Sequence, residues 1–390
     1  MKQKRNGLLA LLTVALLSIT PTPLLAQTNP VSVGHFSNGA FVYGVAISGN
    51  YAFLADDLNG LDIFNISNPT NPIAITHTNN GGYAYGLVVS GNYAYLANYD
   101  DGLRIYNISN PANPTNVGHA YDAGYANNVA VAGHYAYLAN DIDGLRIYDV
   151  SNPANPVSVG QIHDAGAATG VAVAGHYAYL ANGNDGLRIY DVSNPANPVN
   201  VGATNNNGFA YGIAVSGNYA YLANGGNGLV IYDVSNPANP AYLGSIDSGG
   251  QANGVTVSGN FAFLAKDAGL RIYDVSDPAN PVNVGHVNDG GPAENLAIVG
   301  NYGYLANGAD GFRIYSLNVP SPRLSLLNTS TNTTLLSWPT PTLPFSVQKC
   351  STLQSSNWVT LTNVSTTVGS QNQVVLPRPT SNQLFRLTYP

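Results

Sequence analysis

The feature that most constrains this chain is a repeat of about 42 residues. Each unit contains four short runs rich in Val, Ile and Tyr, separated by Gly, Asn and Asp turn residues. Such runs are typical of strands joined by tight turns, so one unit is predicted to be a four-stranded meander. The units open at seven prolines, spaced 42 residues apart except for a last interval of 41: Pro30, Pro72, Pro114, Pro156, Pro198, Pro240 and Pro281.

The third unit shows the predicted strands clearly. They cover Thr115–His119, Asn127–Ala132, Tyr135–Ala139 and Leu145–Val150. Both faces of such a sheet carry apolar side chains, so each unit must be packed between two neighbours, and a ring leaves no open end. The sequence therefore predicts an all-β chain in which residues 27–319 form a seven-bladed β-propeller of four-stranded blades.

The ring must also be closed, and the register of the repeat shows how. Because each unit begins with the outermost strand, Val31–Gly34 precedes the first complete blade and has no partner in it. The last unit ends at Arg313–Ser316 and lacks an outer strand of its own. We therefore expect the two segments to pair and to complete the seventh blade.

The repeat resembles a known family. Leu229-Val230-Ile231-Tyr232-Asp233, within a recurring Leu-Arg-Ile-Tyr-Asp-Val-Ser-Asn-Pro-Ala-Asn-Pro pattern, resembles the LVIVD-repeat family of secreted bacterial and archaeal propellers. Tyr221-Leu222-Ala223-Asn224 is similar to the Tyr-Val-Thr-Asn motif of surface-layer propeller repeats. The resemblance covers residues 30–320 and implies an extracellular propeller. It implies no common enzymatic activity, because the motif marks blade structure.

The two ends of the chain differ from the repeats. Residues 1–26 combine basic residues with an apolar run, which is the order of a secretory signal peptide. Residues 320–390 follow a proline-rich linker, Val319–Pro322, and are richer in Ser, Thr and Leu. Six short apolar runs in this region predict a small C-terminal β-sandwich, which resembles fibronectin-type-III-like modules.

The charge and the apolar content of the chain limit where the protein can be located and which partners it can bind. The chain carries 13 Lys+Arg against 20 Asp+Glu, and an acidic surface repels nucleic-acid phosphates. After signal removal, no apolar run is long enough to enter a membrane. We therefore expect a protein that is secreted or at the cell surface, extracellular or periplasmic, with an extracellular glycan or protein as partner and no nucleic acid.

Three repeated columns offer candidate chemistry, and each has a structural interpretation that we favour. An arginine column would bind anions or stack on tyrosines between blades. Asp-Gly turns such as Asp143-Gly144 would bind calcium or simply form hairpins. The histidines lie on different blades and are not expected to converge on a metal. No metal site or cofactor is predicted, with calcium left as a possible exception.

Non-repeating residues are concentrated where each outer strand leads into the next inner strand. These loops lie on the face where propellers usually bind ligands, and aromatic and amide side chains suit sugars or peptides. Such aromatic residues would otherwise only cap the packing. The predicted ligand-binding residues are Phe41, Tyr43, Tyr83, Tyr85, Tyr125, Asn127, Thr169, Phe209, Tyr211, Asn253 and Glu294.

Two functions are compatible with these residues. The first is a non-enzymatic binding or adhesion scaffold that holds a glycan or protein at the channel mouth. The second is a polysaccharide hydrolase or lyase that uses Glu294, the only glutamate of the chain, with channel-facing aspartates. We favour the first, because no catalytic residues are predicted elsewhere and recognised enzyme motifs are missing from the sequence.

Overall fold

A computed structural model describes most of the repeat region and the strands that follow it. The described residues are 29–317, without 38, 80, 122–123, 164–165 and 206–207, and seven C-terminal segments, 325–328, 333–339, 346–350, 359–361, 366–368, 371–377 and 384–388. The predicted signal peptide and the Val319–Pro322 linker lie outside the described residues. Within the described part of the chain, no helix is long and apolar enough to span a bilayer.

The repeat region forms seven four-stranded antiparallel sheets, as predicted. The first strand is β1 (Val31–Phe36). Blades 1 to 3 consist of β2 (Gly44–Ser48), β3 (Tyr51–Asp56), β4 (Gly60–Asn65) and β5 (Ile73–Thr78); β6 (Gly86–Ser90), β7 (Tyr93–Ala97), β8 (Leu103–Asn107) and β9 (Thr115–Ala120); and β10 (Asn128–Ala132), β11 (Tyr135–Ala139), β12 (Leu145–Asp149) and β13 (Val157–Ile162).

The remaining blades repeat this order of an inner strand, two middle strands and an outer strand. Blades 4 to 7 consist of β14 (Gly170–Ala174), β15 (Tyr177–Ala181), β16 (Leu187–Asp191) and β17 (Val199–Thr204); β18 (Gly212–Ser216), β19 (Tyr219–Ala223), β20 (Leu229–Asp233) and β21 (Ala241–Ile246); β22 (Ala252–Ser258), β23 (Phe261–Lys266), β24 (Gly269–Asp274) and β25 (Val282–Asn288); and β26 (Asn295–Val299), β27 (Tyr302–Ala306) and β28 (Phe312–Ser316).

The core lies between the blades. Tyr137 and Ile147 of blade 3 pair across the sheet, and both pack against Leu180 and Tyr190 of blade 4. Equivalent clusters bury the middle strands of the other neighbouring blades. Since strand residues alternate between two faces, a sheet with apolar side chains on both faces is stable only between two other sheets. The stacked ring satisfies this requirement for every blade.

The predicted closure of the ring is confirmed. Strand β1 pairs with β28 in an antiparallel register that joins Val31 to Ser316 and Phe36 to Phe312. The seventh blade therefore contains both ends of the propeller segment. The inner strands also contact one another in a closed cycle, from β2 through β6, β10, β14, β18, β22 and β26 back to β2.

The inner strands approach closely at the end where each one begins. A Cβ atom on Gly44 would lie 2.8 Å from the Tyr85 carbonyl oxygen, and one on Gly212 would lie 2.7 Å from that of Asn253. Glycine is therefore required for the close packing at these positions. Blades 3 and 7 instead have Asn128 and Asn295 there, and both side chains line the channel mouth.

The C-terminal segment forms two sheets with a small core. One sheet contains β29 (Ser325–Asn328), β30 (Thr333–Pro339), β33 (Thr366–Val368) and β34 (Gln371–Pro377), and the other contains β31 (Ser346–Cys350), β32 (Val359–Thr360) and β35 (Leu384–Thr388). Leu336 and Val374 of the first sheet pack against Val347 and Phe385 of the second. The two-sheet arrangement agrees with the predicted sandwich. Sequence reasoning missed only the short, threonine-rich β33.

Candidate ligand-binding site at the channel mouth

A cavity of about 310 Å³ opens where the seven inner strands begin. Each blade contributes one residue to it, which directly precedes the inner strand in six blades and is the second residue of β22 in blade 6. Each of the seven differs in residue type from at least one neighbour in the ring. These residues are Tyr43, Tyr85, Asn127, Thr169, Tyr211, Asn253 and Glu294. The ring therefore brings together seven side chains that lie about 42 residues apart in the sequence.

The polar members of this column connect neighbouring blades. The Asn127 amide donates a hydrogen bond to the Ala168 carbonyl at 3.0 Å, and the Asn253 amide donates to the Ala293 carbonyl at 3.1 Å. The Thr169 hydroxyl lies 2.8 Å from the Ala210 carbonyl in the same way. We call Asn127, Thr169 and Asn253 the latch residues. Each asparagine uses one of its two amide N–H groups in this way, which leaves the side-chain oxygen as an acceptor and the second N–H as a donor.

Two of the three aromatic members, Tyr43 and Tyr85, belong to a continuous row of rings on blades 1 to 3, whereas Tyr211 of blade 5 contacts Phe209. The row consists of Phe41, Tyr43, Tyr85, Tyr99 and Tyr125, with successive ring centroids 4.5, 4.2, 4.9 and 4.4 Å apart. The last three pairs are stacked, with interplanar angles of 20°, 25° and 15°. Inside the row each ring face is therefore covered by another ring, and the cavity is lined by ring edges and hydroxyl groups.

Tyr99 occupies an unusual backbone position within this row. It lies in the turn that follows β7, and its backbone makes two hydrogen bonds with the backbone of Ala126 in the next blade. The equivalent residues in five other blades are Asp57, Asp141, Gly183, Gly225 and Gly308, all at positive φ. Glycine and Asp tolerate this conformation, but a tyrosine at φ 42° is strained by roughly 1–2 kcal/mol. Its stacked contacts with Tyr85 and Tyr125, together with an edge contact with Tyr83, offset that cost.

Glu294 is the acidic member of the column, and its surroundings are unfavourable for a charge. Partial burial, together with the nearby Asp267 carboxylate, raises the pKa of Glu294 to about 7. Burial is also the main reason why the pKa of Tyr43 is well above its usual value, and the Tyr85 hydroxyl, Asp57 and Glu294 add to it. Tyr43 and Glu294 thus influence each other across the junction between blades 1 and 7.

The junction between blades 6 and 7 is irregular in the same sector. Blade 6 is one residue shorter, and Lys266 occupies the position that Asn98 and Asn140 hold in blades 2 and 3. The buried Lys266 amine donates to the Gly249 carbonyl at 3.2 Å, and its backbone carbonyl accepts from the Ala293 amide. The amine is thus engaged within blade 6.

The structure brings together seven of the predicted site residues and leaves four outside the cavity lining. Phe41 and Phe209 stack behind Tyr43 and Tyr211, whereas Tyr83 and Tyr125 are exposed beside Tyr99. Sequence reasoning missed Tyr99 and the asparagines 128 and 295. All three carried a signal. Asn128 and Asn295 replace the glycine of the other five blades, and Tyr99 stands in a column that otherwise contains only Asp and Gly.

The arginine and Asp-Gly columns form ion pairs with each other. Arg146 lies 3.1 Å from Asp143, and Arg188 lies 2.9 Å from Asp185; blades 2 and 7 repeat the pair. The turn carboxylates that suggested calcium are therefore paired with arginine. Among the described residues, no group of three or more His, Cys, Asp or Glu side chains is arranged to hold a metal ion.

Blade 1 departs from this pattern. Asp62 replaces the arginine, and its carboxylate lies 2.7 Å from His77 Nδ1. Burial is the main reason why the pKa of Asp62 is raised to about 6; the neighbouring Asp56 acts in the same direction, and the hydrogen bond to His77 opposes both. This cluster lies between strands, away from the residues that line the mouth.

Comparison with protein families identifies the repeat. The model described as LVIVD repeat matches seven consecutive segments: 42–79, 81–122, 123–164, 165–206, 207–248, 249–289 and 290–314. The chain belongs to the LVIVD repeat family. Each matched segment begins within a few residues of the side chain that its blade contributes to the channel mouth. The LVIVD unit therefore coincides with a structural blade, whereas the unit that begins at each proline starts with the outer strand of the preceding blade. The match ends at residue 314, and the likeness of the C-terminal module to fibronectin-type-III-like modules stays a prediction.

Solved structures support the propeller fold of this LVIVD-repeat chain. The structure titled "Structure of U3-55K" is 9% identical, with a TM-score of 0.61, over 74% of this chain and 98% of that one. The WD40 repeats of RRP9 give 9% identity and a TM-score of 0.61 over 75% and 98%. The computationally designed Ika8 protein gives 7% and 0.55 over 73% and 99%. At such low identity these likenesses concern the fold alone. Comparison with curated proteins gives no match.

Proposed function

We propose that this LVIVD-repeat propeller is a secreted or cell-surface binding protein that holds a ligand at its channel mouth without chemically changing it. The observation that carries this is the convergence on one cavity of seven side chains of four residue types, whereas a packing column such as the arginine column repeats in most blades. A repeated column serves packing in every blade. A column that varies from blade to blade supplies the unlike contacts that recognition of one ligand requires.

A screen of the purified protein on glycan and extracellular-peptide arrays tests this proposal. We expect binding to one ligand class, and we expect Tyr43→Ala/Tyr85→Ala/Tyr211→Ala to abolish it. The matched control removes three tyrosine rings at the opposite end of the inner strands, Tyr135→Ala/Tyr177→Ala/Tyr219→Ala, and should still bind. Circular dichroism establishes that each variant is folded.

A second variant keeps the test decisive if the alanine variants fail to fold. Thr169→Tyr introduces into blade 4 the residue that blades 1, 2 and 5 have in the same column, and its ring would fill part of the cavity. Binding should fall for this folded variant. Unchanged binding by Thr169→Tyr, or no binding by the wild-type protein to any array member, would contradict the proposal.

One observation favours an enzyme as the second candidate. With its pKa raised to about 7, Glu294 retains a proton near neutral pH, as the general acid of a polysaccharide hydrolase or lyase does. Asp267 is its carboxylate neighbour, although it does not line the cavity. If the wild-type protein releases new chain ends from a polysaccharide and Glu294→Gln does not, the enzyme replaces the binding protein as the function.

A further inference from the structure

The Glu294 carboxylate faces the cavity without a partner of its own. Within the described part of the chain it forms no hydrogen bond and no ion pair. Lys266, whose backbone carbonyl accepts from the Ala293 amide beside Glu294, directs its amine at the Gly249 carbonyl. A half-buried carboxylate in this state is unfavourable, because burial and the Asp267 charge both oppose its ionisation. A ligand that brought a positive charge would remove that cost.

The rest of the lining also suits a hydrogen-bond donor. Asn127 and Asn253 each use one amide N–H on the neighbouring blade, and their side-chain carbonyl oxygens can accept from the ligand. The stacked faces of Tyr43 and Tyr85 cover one another, so these residues cannot offer a face on which a sugar ring would stack. Carboxylate, amide and phenol oxygens are together the groups that an ammonium ion, with three N–H donors, can satisfy.

The size of the cavity limits the ligand further. Its volume, about 310 Å³, is at the lower end of the range of roughly 300–1,000 Å³ for small-molecule sites. A bare metal ion with ligands about 2.0–2.6 Å away would leave most of this space empty. The volume fits an ammonium group together with a small organic body, such as a single sugar ring or an amino-acid side chain.

We infer that the channel mouth binds a primary ammonium group of a small organic ligand, with Glu294 as the counter-ion and the oxygens of Asn127 and Asn253 as further acceptors. This rests on the proposed binding function and specifies its ligand chemistry. Two sources carry such a group, an amino sugar and a lysine side chain. The cavity would admit either, and binding experiments distinguish them.

Isothermal titration calorimetry at low salt tests the inference with four probes. They are glucosamine and N-acetylglucosamine, which share a ring but differ in charge, and Nα-acetyl-lysine amide with its Nε-acetylated counterpart. At least one ammonium probe should bind, and its acetylated counterpart should bind roughly 10-fold to 100-fold more weakly, the factor for a hydrogen bond between charged groups. The source is identified by which ammonium probe binds more tightly.

Two variants assign the effect to Glu294. Glu294→Gln should weaken binding of the ammonium probe by a similar factor. The matched control, Asp277→Asn, also removes one carboxylate, at an exposed turn where blades 1 to 5 have asparagine, and should bind as the wild type does. Equal binding of the acetylated and ammonium probes, unchanged binding by Glu294→Gln, or tight Glu294-dependent binding of Ca²⁺ alone would each overturn the inference.

The outcome also separates this inference from the proposed function. If an array ligand without an ammonium group binds and Thr169→Tyr weakens it, the mouth is a binding site and only the ammonium inference is wrong. If the ammonium probes bind and Thr169→Tyr has no effect, the cavity is not the site and both are wrong.

Discussion

Two sectors of the channel mouth use the same column for different purposes. In the latch sector, the side chains of Asn127, Thr169 and Asn253 donate hydrogen bonds to backbone carbonyl groups of the next blade. In the aromatic sector, Tyr43 and Tyr85 hold neighbouring blades together by stacking. This difference shows that side chains of unlike chemistry at one variable position of a repeat can each join two neighbouring blades.

The largest loss of stability is expected from opening the ring, because the contacts between blades in both sectors depend on a closed ring. A chain that begins at residue 37 lacks β1 and exposes the edge of β28, so it should aggregate or melt at a much lower temperature. A chain that begins at residue 29 keeps β1 and is the matched control. If both chains melt at the same temperature, the β1–β28 pairing does not close the ring in solution.

The latch sector is tested by removing its hydrogen bonds together. Asn127→Ala/Thr169→Val/Asn253→Ala should lower the free energy of unfolding by about 3 kcal/mol, at about 1 kcal/mol for each bond. The loss stays modest because the Ala168 and Ala210 carbonyls also accept backbone N–H groups. Urea denaturation measures the change.

The matched variant in the aromatic sector is Tyr43→Phe/Tyr85→Phe. It keeps every ring and loses the hydrogen bond between the Tyr43 and Tyr85 hydroxyls, so we expect a loss of about 1 kcal/mol. An equal or larger loss than in the latch variant would erase the distinction between the sectors.

Glu294 lies where the sectors meet, and its charge should make stability depend on pH. Its pKa rises from an ordinary 4.5 to about 7 in the fold, so the folded protein binds the proton more tightly. Stability therefore falls as pH rises from 4.5 to 7 and stays lower above that. Glu294→Gln should raise the free energy of unfolding at pH 8 by about 2 kcal/mol, a value reduced for partial exposure.

The same variant should leave stability unchanged at pH 4, where Glu294 is protonated in both states. Thermal melts at the two pH values measure the difference, and Asp277→Asn is again the control. The Asp267 carboxylate raises the pKa of Glu294. The Tyr85 hydroxyl and Asp57, like Glu294 itself, raise the pKa of Tyr43. A gain that is equal at both pH values would mean that packing rather than charge limits stability here.

The smallest effect is expected at Tyr99. Tyr99→Asn places a residue that tolerates positive φ in the strained turn, which gains roughly 1–2 kcal/mol. It loses two stacked ring contacts of roughly 0.5–1.5 kcal/mol each and the edge contact with the exposed Tyr83. The free energy of unfolding should change by less than about 1 kcal/mol, whereas the near-ultraviolet circular dichroism of the stacked rings should weaken. A loss above about 2 kcal/mol would show that the aromatic row contributes more to stability than its pairwise contacts indicate.

Most of the propeller's strands and its closure could be predicted from the sequence, because the same pattern of strand and turn residues occurs in seven units. The blade strands, for example Tyr135–Ala139, agree with the prediction to within about one residue at each end, and the closing strand follows from the register. The mouth column was predicted for the same reason, since Tyr43 and Glu294 stand at equivalent positions of units that the ring brings together. Whether that column binds a ligand stays a prediction.

What the sequence by itself determined is therefore the number of blades, their strands, the closure and the list of residues at the mouth, because these depend on local pattern and repeat spacing. The tertiary structure alone decided what each residue does there. It placed the turn residue Tyr99 between Tyr85 and Tyr125, directed the Asn127 amide at the next blade, and left Glu294 unpaired. These outcomes depend on distances between blades, and contacts between residues far apart in sequence are set only when the whole ring packs.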